Sequence, residues 1–381
     1  MLLYVHVPFC RRKCHYCAFH SVVPGPGQML RYVELLEAEA ALWGKRLRRP
    51  QVETLHLGGG TPSLLPPALL ERLVRALRAN FTFAPGLEFG LEANPDSVAD
   101  WTLMEVLRRL GVTRLSIGVQ SFDDNDLTRL GRPHSAEQAE AAVRLAQGAG
   151  FRSVSLDLIW GLPGQRLHHW LANLKKATRL GPQHISCYGL TIEPGTHLER
   201  LDRETDLELP DETEQQRMYL QGGEFLESEG YLQYEISNHA RMGFESRHNT
   251  GYWEGRPYLG LGPAAVSTLG ARRWKNPEGL DAYAAAVQAG TLGTDAEALD
   301  HQTRLRELVM LRLRTTRGLD LAAYRKAAGH DLLAKNEPMI RALRQRDLIR
   351  ISGGRLRLTR PGMLVSDAII GNLFPEAPRT D

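Results

Sequence analysis

The stretch Leu2-Leu-Tyr-Val-His-Val-Pro-Phe-Cys10-Arg-Arg-Lys-Cys14-His-Tyr-Cys17 governs the reading of the whole chain. It opens as a short apolar run, broken by His6 and Pro8, and passes directly into three cysteines within eight residues. It lacks the basic start and small-residue cleavage site of an export signal. The run reads as a first β-strand and the cysteines as the loop after it. Strand-like runs recur at 52–57, 87–92, 113–119, 153–160 and 184–191, with helical patterns between them at about 28–48, 65–80, 98–110, 135–149 and 167–180. Strand–helix alternation requires crossover connections and therefore a parallel sheet. Six units, without a sign of eight, predict an α/β fold of the incomplete (β/α)6 barrel type, with a doubly wound sheet as the alternative.

The polar residues at the strand ends carry the functional signal. After the second strand comes Gly58-Gly-Gly-Thr-Pro62; Glu92 and Asn94 close the third, and Gln120 and Ser121 close the fourth. Asp157 sits inside the fifth, in Ser153-Val-Ser-Leu-Asp-Leu-Ile-Trp160, ahead of Gly161-Leu-Pro163. Ligands of parallel α/β folds bind at the carboxyl ends of the strands. Polar loops after strands are common, but five such positions in succession predict one shared site.

Four cysteines, three of them clustered, are not a disulfide framework; such spacing in a chain without an export signal indicates a metal or redox site. Cys187, alone in an apolar run, reads as a small core residue. A structural zinc site would take His15 or His20 as fourth ligand. An iron–sulfur cubane held by Cys10, Cys14 and Cys17 alone would leave one iron open to a further ligand. Arg11, Arg12 and Lys13 would lower the thiol pKa values and offset the charge of such a cluster. A net charge of +3 gives no argument for a nucleic-acid or membrane partner, and no run approaches the ~20 apolar residues of a membrane helix. The expected location is cytoplasmic.

The order C-x3-C-x2-C, with the aromatic Tyr16 before the last cysteine, resembles the signature of the radical S-adenosylmethionine superfamily. That resemblance implies a [4Fe–4S] cluster whose open iron is chelated by S-adenosylmethionine. Val5-His-Val-Pro-Phe-Cys10, Leu57-Gly-Gly-Gly-Thr-Pro-Ser63, Leu91-Glu-Ala-Asn-Pro95, Ile117-Gly-Val-Gln-Ser-Phe122 and Asp157-Leu-Ile-Trp-Gly-Leu-Pro163 are similar to the family of oxygen-independent coproporphyrinogen III oxidase (HemN) and its relative HemW. The resemblance implies S-adenosylmethionine contacts from Tyr4, Tyr16, Gly59, Gly60, Thr61, Glu92, Gln120, Arg132 and Asp157. In the oxidase, positions matching Gly60, Thr61, Gln120, Arg132 and Asp157 serve a second such molecule.

Two features separate the branches of that family. Phe19 stands where the oxidase has a further cysteine, and only nine residues precede Cys10 where the oxidase has a long extension. Both resemble the HemW-type heme chaperone branch, as does His248-Asn-Thr-Gly-Tyr-Trp253, a stretch that in HemW proteins is linked to heme binding. The resemblance implies heme as a cofactor, with His248 in contact with it, and as partners an electron donor protein and a heme-acceptor protein, a membrane-associated acceptor included. Coproporphyrinogen oxidation in porphyrin biosynthesis is the alternative activity.

The chain divides by pattern into a barrel at 1–230, a connecting region at 231–300 and a module at 301–381. Asp211–Glu229 reads as one acidic helix. The last module pairs a helix at Lys335–Arg346 with two short strands about Gly353-Gly354, the order of a winged helix. It carries 16 Lys and Arg against 8 Asp and Glu. We read it as a packing module with solvated arginines and expect no nucleic-acid partner.

Overall fold

The computed structural model describes residues 1–98, 100–205 and 207–374. Three strand–helix units come first: β1 (Leu2–Val7) with α1 (Gln28–Arg46), β2 (Gln51–Gly59) with α2 (Pro67–Asn80), and β3 (Thr82–Ala93) with α3 (Trp101–Leu110). Next are β4 (Arg114–Gln120) with α4 (Asp124–Arg129) and α5 (Ala136–Gly148), β5 (Ser153–Trp160) with α6 (Leu167–Arg179), and β6 (His184–Gly189). The six strands are parallel and stand in chain order, each paired with the next. A doubly wound sheet needs a reversal of strand order, and β1 to β6 contain none. The strand group is therefore of the open-barrel kind. Several boundaries moved by one or two residues, β2 running on to Gly59 and β6 stopping at Gly189, and β3 starts five residues early, beyond a register shift against Val52 and Thr54.

The side-chain period of two sorts the strand residues between faces. Leu3, Val5, Val7, Leu55, Leu57, Leu91, Leu115 and Ile117 are buried in one core with Leu36, Leu73 and Leu107 of the helices. Each such burial contributes roughly 1.5–3 kcal/mol. The alternate positions carry Tyr4, His6, His56, Glu92, Ser116 and Asp157, so the other face of the same strands is polar.

After β6 come α7 (His197–Thr205), α8 (Glu212–Ser228), β7 (Leu232–Gln233), β8 (Asn238–Ala240) and α9 (Arg247–Trp253). Then follow β9 (Tyr258–Leu261), β10 (Val266–Leu269), β11 (Arg272–Lys275), α10 (Leu280–Ala289) and β12 (Glu297–Ala298). The sheet order is β12-β11-β10-β9-β1-β2-β3-β4-β5-β6-β8-β7. Residues 231–300, which show no clear period, thus supply both flanks of the sheet. Strands of two to four residues are too short to display a period of two. β9 pairs in parallel with β1, Leu2 to Val5 against Tyr258 to Leu261, so β1 lies inside the sheet.

The remaining elements are α11 (His301–Leu313), β13 (Leu319–Asp320), α12 (Leu321–Ala328), α13 (Leu332–Lys335), α14 (Glu337–Gln345), β14 (Ile349–Ser352), β15 (Arg355–Leu358), α15 (Arg360–Leu364) and α16 (Ser366–Leu373). They enclose a separate core that includes Leu305, Val309, Tyr324, Ile340 and Leu356, under a small antiparallel sheet ordered β13-β15-β14. The expected helix at Lys335–Arg346 is interrupted at Asn336, which ends α13 and begins α14. Residues 375–381 of that module lie outside the described residues. Among the described residues no helix is long and apolar enough to cross a membrane.

Candidate cluster and cofactor site

A cavity of about 630 Å³ opens at the carboxyl ends of the parallel strands. Cys10, Cys14 and Cys17 line it, together with Tyr16, Gly59, Gly60, Thr61, Glu92, Gln120, Arg132 and Asp157. Of the residues expected at the site, the structure brings all of these together; Tyr4 and His248 stand elsewhere.

The cysteine loop is fastened at several points. Cys10 N–H donates to Val22 O at 3.0 Å, and Val22 N–H donates to Pro8 O at 2.7 Å. His15 N–H reaches Leu130 O at 3.0 Å, with its ring Nδ1 2.8 Å from Arg129 O. His20 Nε2 accepts Gly279 N–H at 3.3 Å. Each ring has a partner other than the thiols, and among the described residues no three His, Cys, Asp or Glu side chains form a group able to grip a single metal ion. A cubane spreads its three thiolates over three irons, so wider spacing suits it better than it suits zinc.

The thiols have a charge partner in addition to the basic run: Lys13 acts on Cys17, and Arg12 lines the same cavity. Arg11 pairs with Asp96 at 3.5 Å, and Lys13 donates to Phe19 O and Ser21 Oγ. Arg132 also approaches a thiol: its Nη1 lies 3.4 Å from Cys14 Sγ. Arg132 Nη2 donates to Asn94 Oδ1 and to Gly118 O, both at 2.7 Å. Asn94 Nδ2 donates to Thr61 Oγ1 at 2.9 Å, and Thr61 Oγ1 donates to Cys10 Sγ at 3.6 Å. This circuit joins Cys10 to Cys14 through the ends of β2, β3 and β4. Burial raises the Cys17 thiol, while its hydrogen bond with the Phe19 backbone and the Lys13 charge oppose the shift.

Glu92 presents its carboxylate to the cavity. Oε2 accepts Gly59 N–H at 3.0 Å and Oε1 faces His56 Nε2 at 3.0 Å. Burial pushes this carboxyl up, but the bonds and charge of His56 and the Gly59 amide outweigh it and hold Glu92 below the ordinary carboxylate range. The turn above it requires glycine. Gly59 has φ of 103°, and a Cβ on Gly60 would meet Phe9 O at 2.6 Å. Gln120, a non-glycine residue at φ 67°, occupies the left-handed region at a register shift between β4 and β5. Such strain persists where the surroundings over-determine it, commonly at functional sites.

Asp157 accepts Ser116 Oγ at 3.1 and 3.0 Å on its two oxygens. Burial raises it to about 6; the hydroxyls of Ser186 and Ser116 oppose the shift and Glu92 reinforces it. A raised folded pKa gives stability that is complete below the unfolded value and is lost as pH rises through the folded one. In the chain without added ligand, the melting temperature relative to Asp157→Asn is therefore expected to fall between about pH 4 and pH 7. A pH-independent difference between the two proteins would remove that titration from Asp157.

Tyr4 and His248 belong to a layer below. Tyr4 OH lies 3.0 Å from His6 Nδ1, and its ring stacks on His56 with centroids 6.3 Å apart. His248 also stacks on His56, with centroids 5.1 Å apart. It is 4 % exposed, its Nδ1 lies 2.7 Å from Thr54 Oγ1 and its Nε2 lies 3.1 Å from Tyr252 OH. Burial holds its pKa well below the ordinary histidine value. α9 inserts against β2 and β3, and both His248 ring nitrogens have partners within the protein, so the residue expected as a heme contact is here a buried, hydrogen-bonded histidine. His56 and Ser116, which hydrogen-bond Glu92 and Asp157, and Tyr188, which lines the cavity, were not singled out by sequence reasoning, whereas Asn94 was. His56 could have been found by the signal that marked Asp157, a polar residue at an inward position of an apolar strand.

Three thiols at the mouth of a parallel open barrel, with strand-end polar groups facing them, define the radical S-adenosylmethionine class. Residues 4–177 match the Radical SAM superfamily model, and residues 299–365 match the HemN C-terminal domain. The chain is 36% identical over 377 residues to Heme chaperone HemW of Mycobacterium tuberculosis, covering 98% of this chain and 94% of that protein. It is 32% identical over 375 residues to Heme chaperone HemW of Bacillus subtilis, covering 98% and 99%. The structure of coproporphyrinogen III oxidase (HemN) from Escherichia coli superimposes with a TM-score of 0.85 at 25% identity, covering 99% of this chain and 90% of that one. The chain belongs to the HemN/HemW family of radical S-adenosylmethionine proteins, on the HemW heme chaperone branch.

Proposed function

We propose that the chain holds a [4Fe–4S] cluster through Cys10, Cys14 and Cys17, binds S-adenosylmethionine beside it, binds heme, and passes the heme to an acceptor protein in the cytoplasm or at a membrane. The observation that carries this reading is the cavity itself, where the three cysteines share walls with Glu92, Arg132 and Asp157. When bound, the cluster and S-adenosylmethionine supply one-electron chemistry at a sulfonium, for which an electron donor protein is required. Glu92, already charged and oriented by His56 and Gly59, is suited to an ammonium group. Arg132 balances thiolate or carboxylate charge from beneath. Asp157, Gln120 and Thr61 offer hydrogen bonds to a ribose or to a second ligand, and Tyr16 closes the side of the cavity. Tyr4 acts from below, through the ring of His56.

The heme part of the reading rests on the relatives named Heme chaperone HemW. His248 serves it as packing beneath the site, since neither ring nitrogen is free. A second reading, coproporphyrinogen III oxidation, is favoured by the similarity to the oxidase structure. Phe19, 68 % exposed at the position of the oxidase's further cysteine, speaks against it. The purified, anaerobically reconstituted protein is expected to bind heme in a spectroscopic titration and to form no protoporphyrinogen from coproporphyrinogen III with reductant and S-adenosylmethionine. Robust conversion would replace the chaperone reading by the oxidase.

A further inference from the structure

A second cavity, of about 490 Å³, lies at the opposite end of the strands from the cysteines. Arg114 and Ser153, the first residues of β4 and β5, are Cα partners in its wall. Thr250 and Trp253 of α9 and the turn after α11 form other parts. Six arginines line it, Arg114, Arg152, Arg247, Arg256, Arg312 and Arg317, against Glu88, Glu245 and Glu254. Two of those carboxylates are already engaged. Glu88 accepts the backbone N–H groups of Arg247 and His248 at 3.1 and 2.8 Å, and Glu254 pairs with Arg317 at 3.2 Å.

Arg114 is only 6 % exposed. Its Nη2 donates to Phe244 O, while Nε and Nη1 have no hydrogen-bond partner. Its nearest carboxylate, Glu88, is 3.8 Å from Nε, beyond hydrogen-bond range. Ser153 beside it is 3 % exposed and its Oγ is also without a partner. Buried polar groups are almost always hydrogen-bonded, and Glu88 compensates the charge of Arg114 without satisfying its Nε or Nη1 donors. Every orphan named here can donate, so what the cavity lacks is acceptor oxygen. Tyr234, Phe244 and Trp253 add flat apolar wall. Few-hundred-Å³ cavities of this mixed character are the common form of small-molecule sites.

We propose that this basal cavity is a binding site for a small organic anion, whose carboxylate or phosphate oxygens accept from Arg114 and Ser153 while its body lies against Phe244 and Trp253. The site is separate from the cysteine-lined cavity and does not rest on the function proposed above.

The test titrates the full-length protein with three probes: protoporphyrin IX, its dimethyl ester, and inorganic pyrophosphate, followed by tryptophan fluorescence. Arg114→Gln removes the buried donor, and Arg152→Gln removes an exposed rim charge without touching the core. The expected result is binding of protoporphyrin or of pyrophosphate that weakens about tenfold or more in Arg114→Gln and measurably in Arg152→Gln, with the ester weaker than the free acid. Protoporphyrin alone would assign the carboxylate source, and pyrophosphate alone the phosphate source. Anion affinity that is the same in wild type and both variants, including heme-type binding indifferent to Arg114, would overturn the site. So would an ester that binds as tightly as the acid.

Discussion

Anaerobic reconstitution is expected to give a brown protein with about four iron and four sulfide, and Cys10→Ala, Cys14→Ala or Cys17→Ala is expected to abolish its visible absorbance. The effect should be nearly complete, because removing one of only three thiolates leaves a cubane with two protein ligands. The circuit from Cys10 through Thr61, Asn94 and Arg132 to Cys14 adds a reason for the loss to be shared between sites. Cys187→Ala should leave the spectrum intact. Cys187 is 7 % exposed in β6, and burial raises its thiol far above the ordinary value, so it is a neutral core residue. Iron and sulfide counted per chain, with absorbance, check all four variants. Loss of the cluster in Cys187→Ala would overturn the assignment of ligands.

Glu92→Gln is expected to weaken S-adenosylmethionine binding about tenfold or more, with iron content unchanged. A charge-assisted hydrogen bond contributes roughly 1.5–3 kcal/mol, and about 1.4 kcal/mol is a factor of ten. The amide also changes the hydrogen bonding of His56 and Gly59, which face the two carboxylate oxygens. For that reason His56→Ala should reproduce part of the loss although it touches no ligand, and His248→Ala, acting through the stacked ring, a smaller part. Titration calorimetry on reconstituted protein reads all three. Equal affinity for wild type and Glu92→Gln would remove Glu92 from the site.

The parallel barrel units were legible because each strand is six residues or longer and each long crossover helix carries a clear apolar stripe; the six-residue α4, with none, was not foreseen. The site was legible because its residues interrupt those strands at their carboxyl ends, as Glu92 and Asp157 do. What escaped notice was of two kinds. Tyr258-Leu-Gly-Leu261 is four apolar residues in a turn-rich region, and nothing local says that it will pair with β1. Its place is decided by the open side of β1, a tertiary fact. The burial of His248 against His56 was not legible, because it depends on α9 packing against β2, two segments nearly 200 residues apart in sequence. The counter-charge was only partly legible for a similar reason: Lys13 acts on Cys17 as expected, but Arg132 was not foreseen beside Cys14. Arg11, Arg12 and Lys13 are adjacent to the cysteines in the chain, whereas Arg132 reaches Cys14 from 118 residues away.

The position of β1 between β2 and β9 also bears on how the protein is made. β1 leaves the ribosome ahead of β2 to β15, yet Tyr258, which begins its second neighbour, follows 251 residues after Val7. At synthesis rates of about 5–20 residues per second, one side of that apolar strand waits roughly 10–50 s for its partner. During this interval Leu3 and Val5 have an unpaired backbone edge exposed, a template for pairing between nascent chains. Full-length protein should consequently refold more slowly than its strand–helix repeat alone suggests, and chains truncated before residue 258 should be held by chaperones or aggregate.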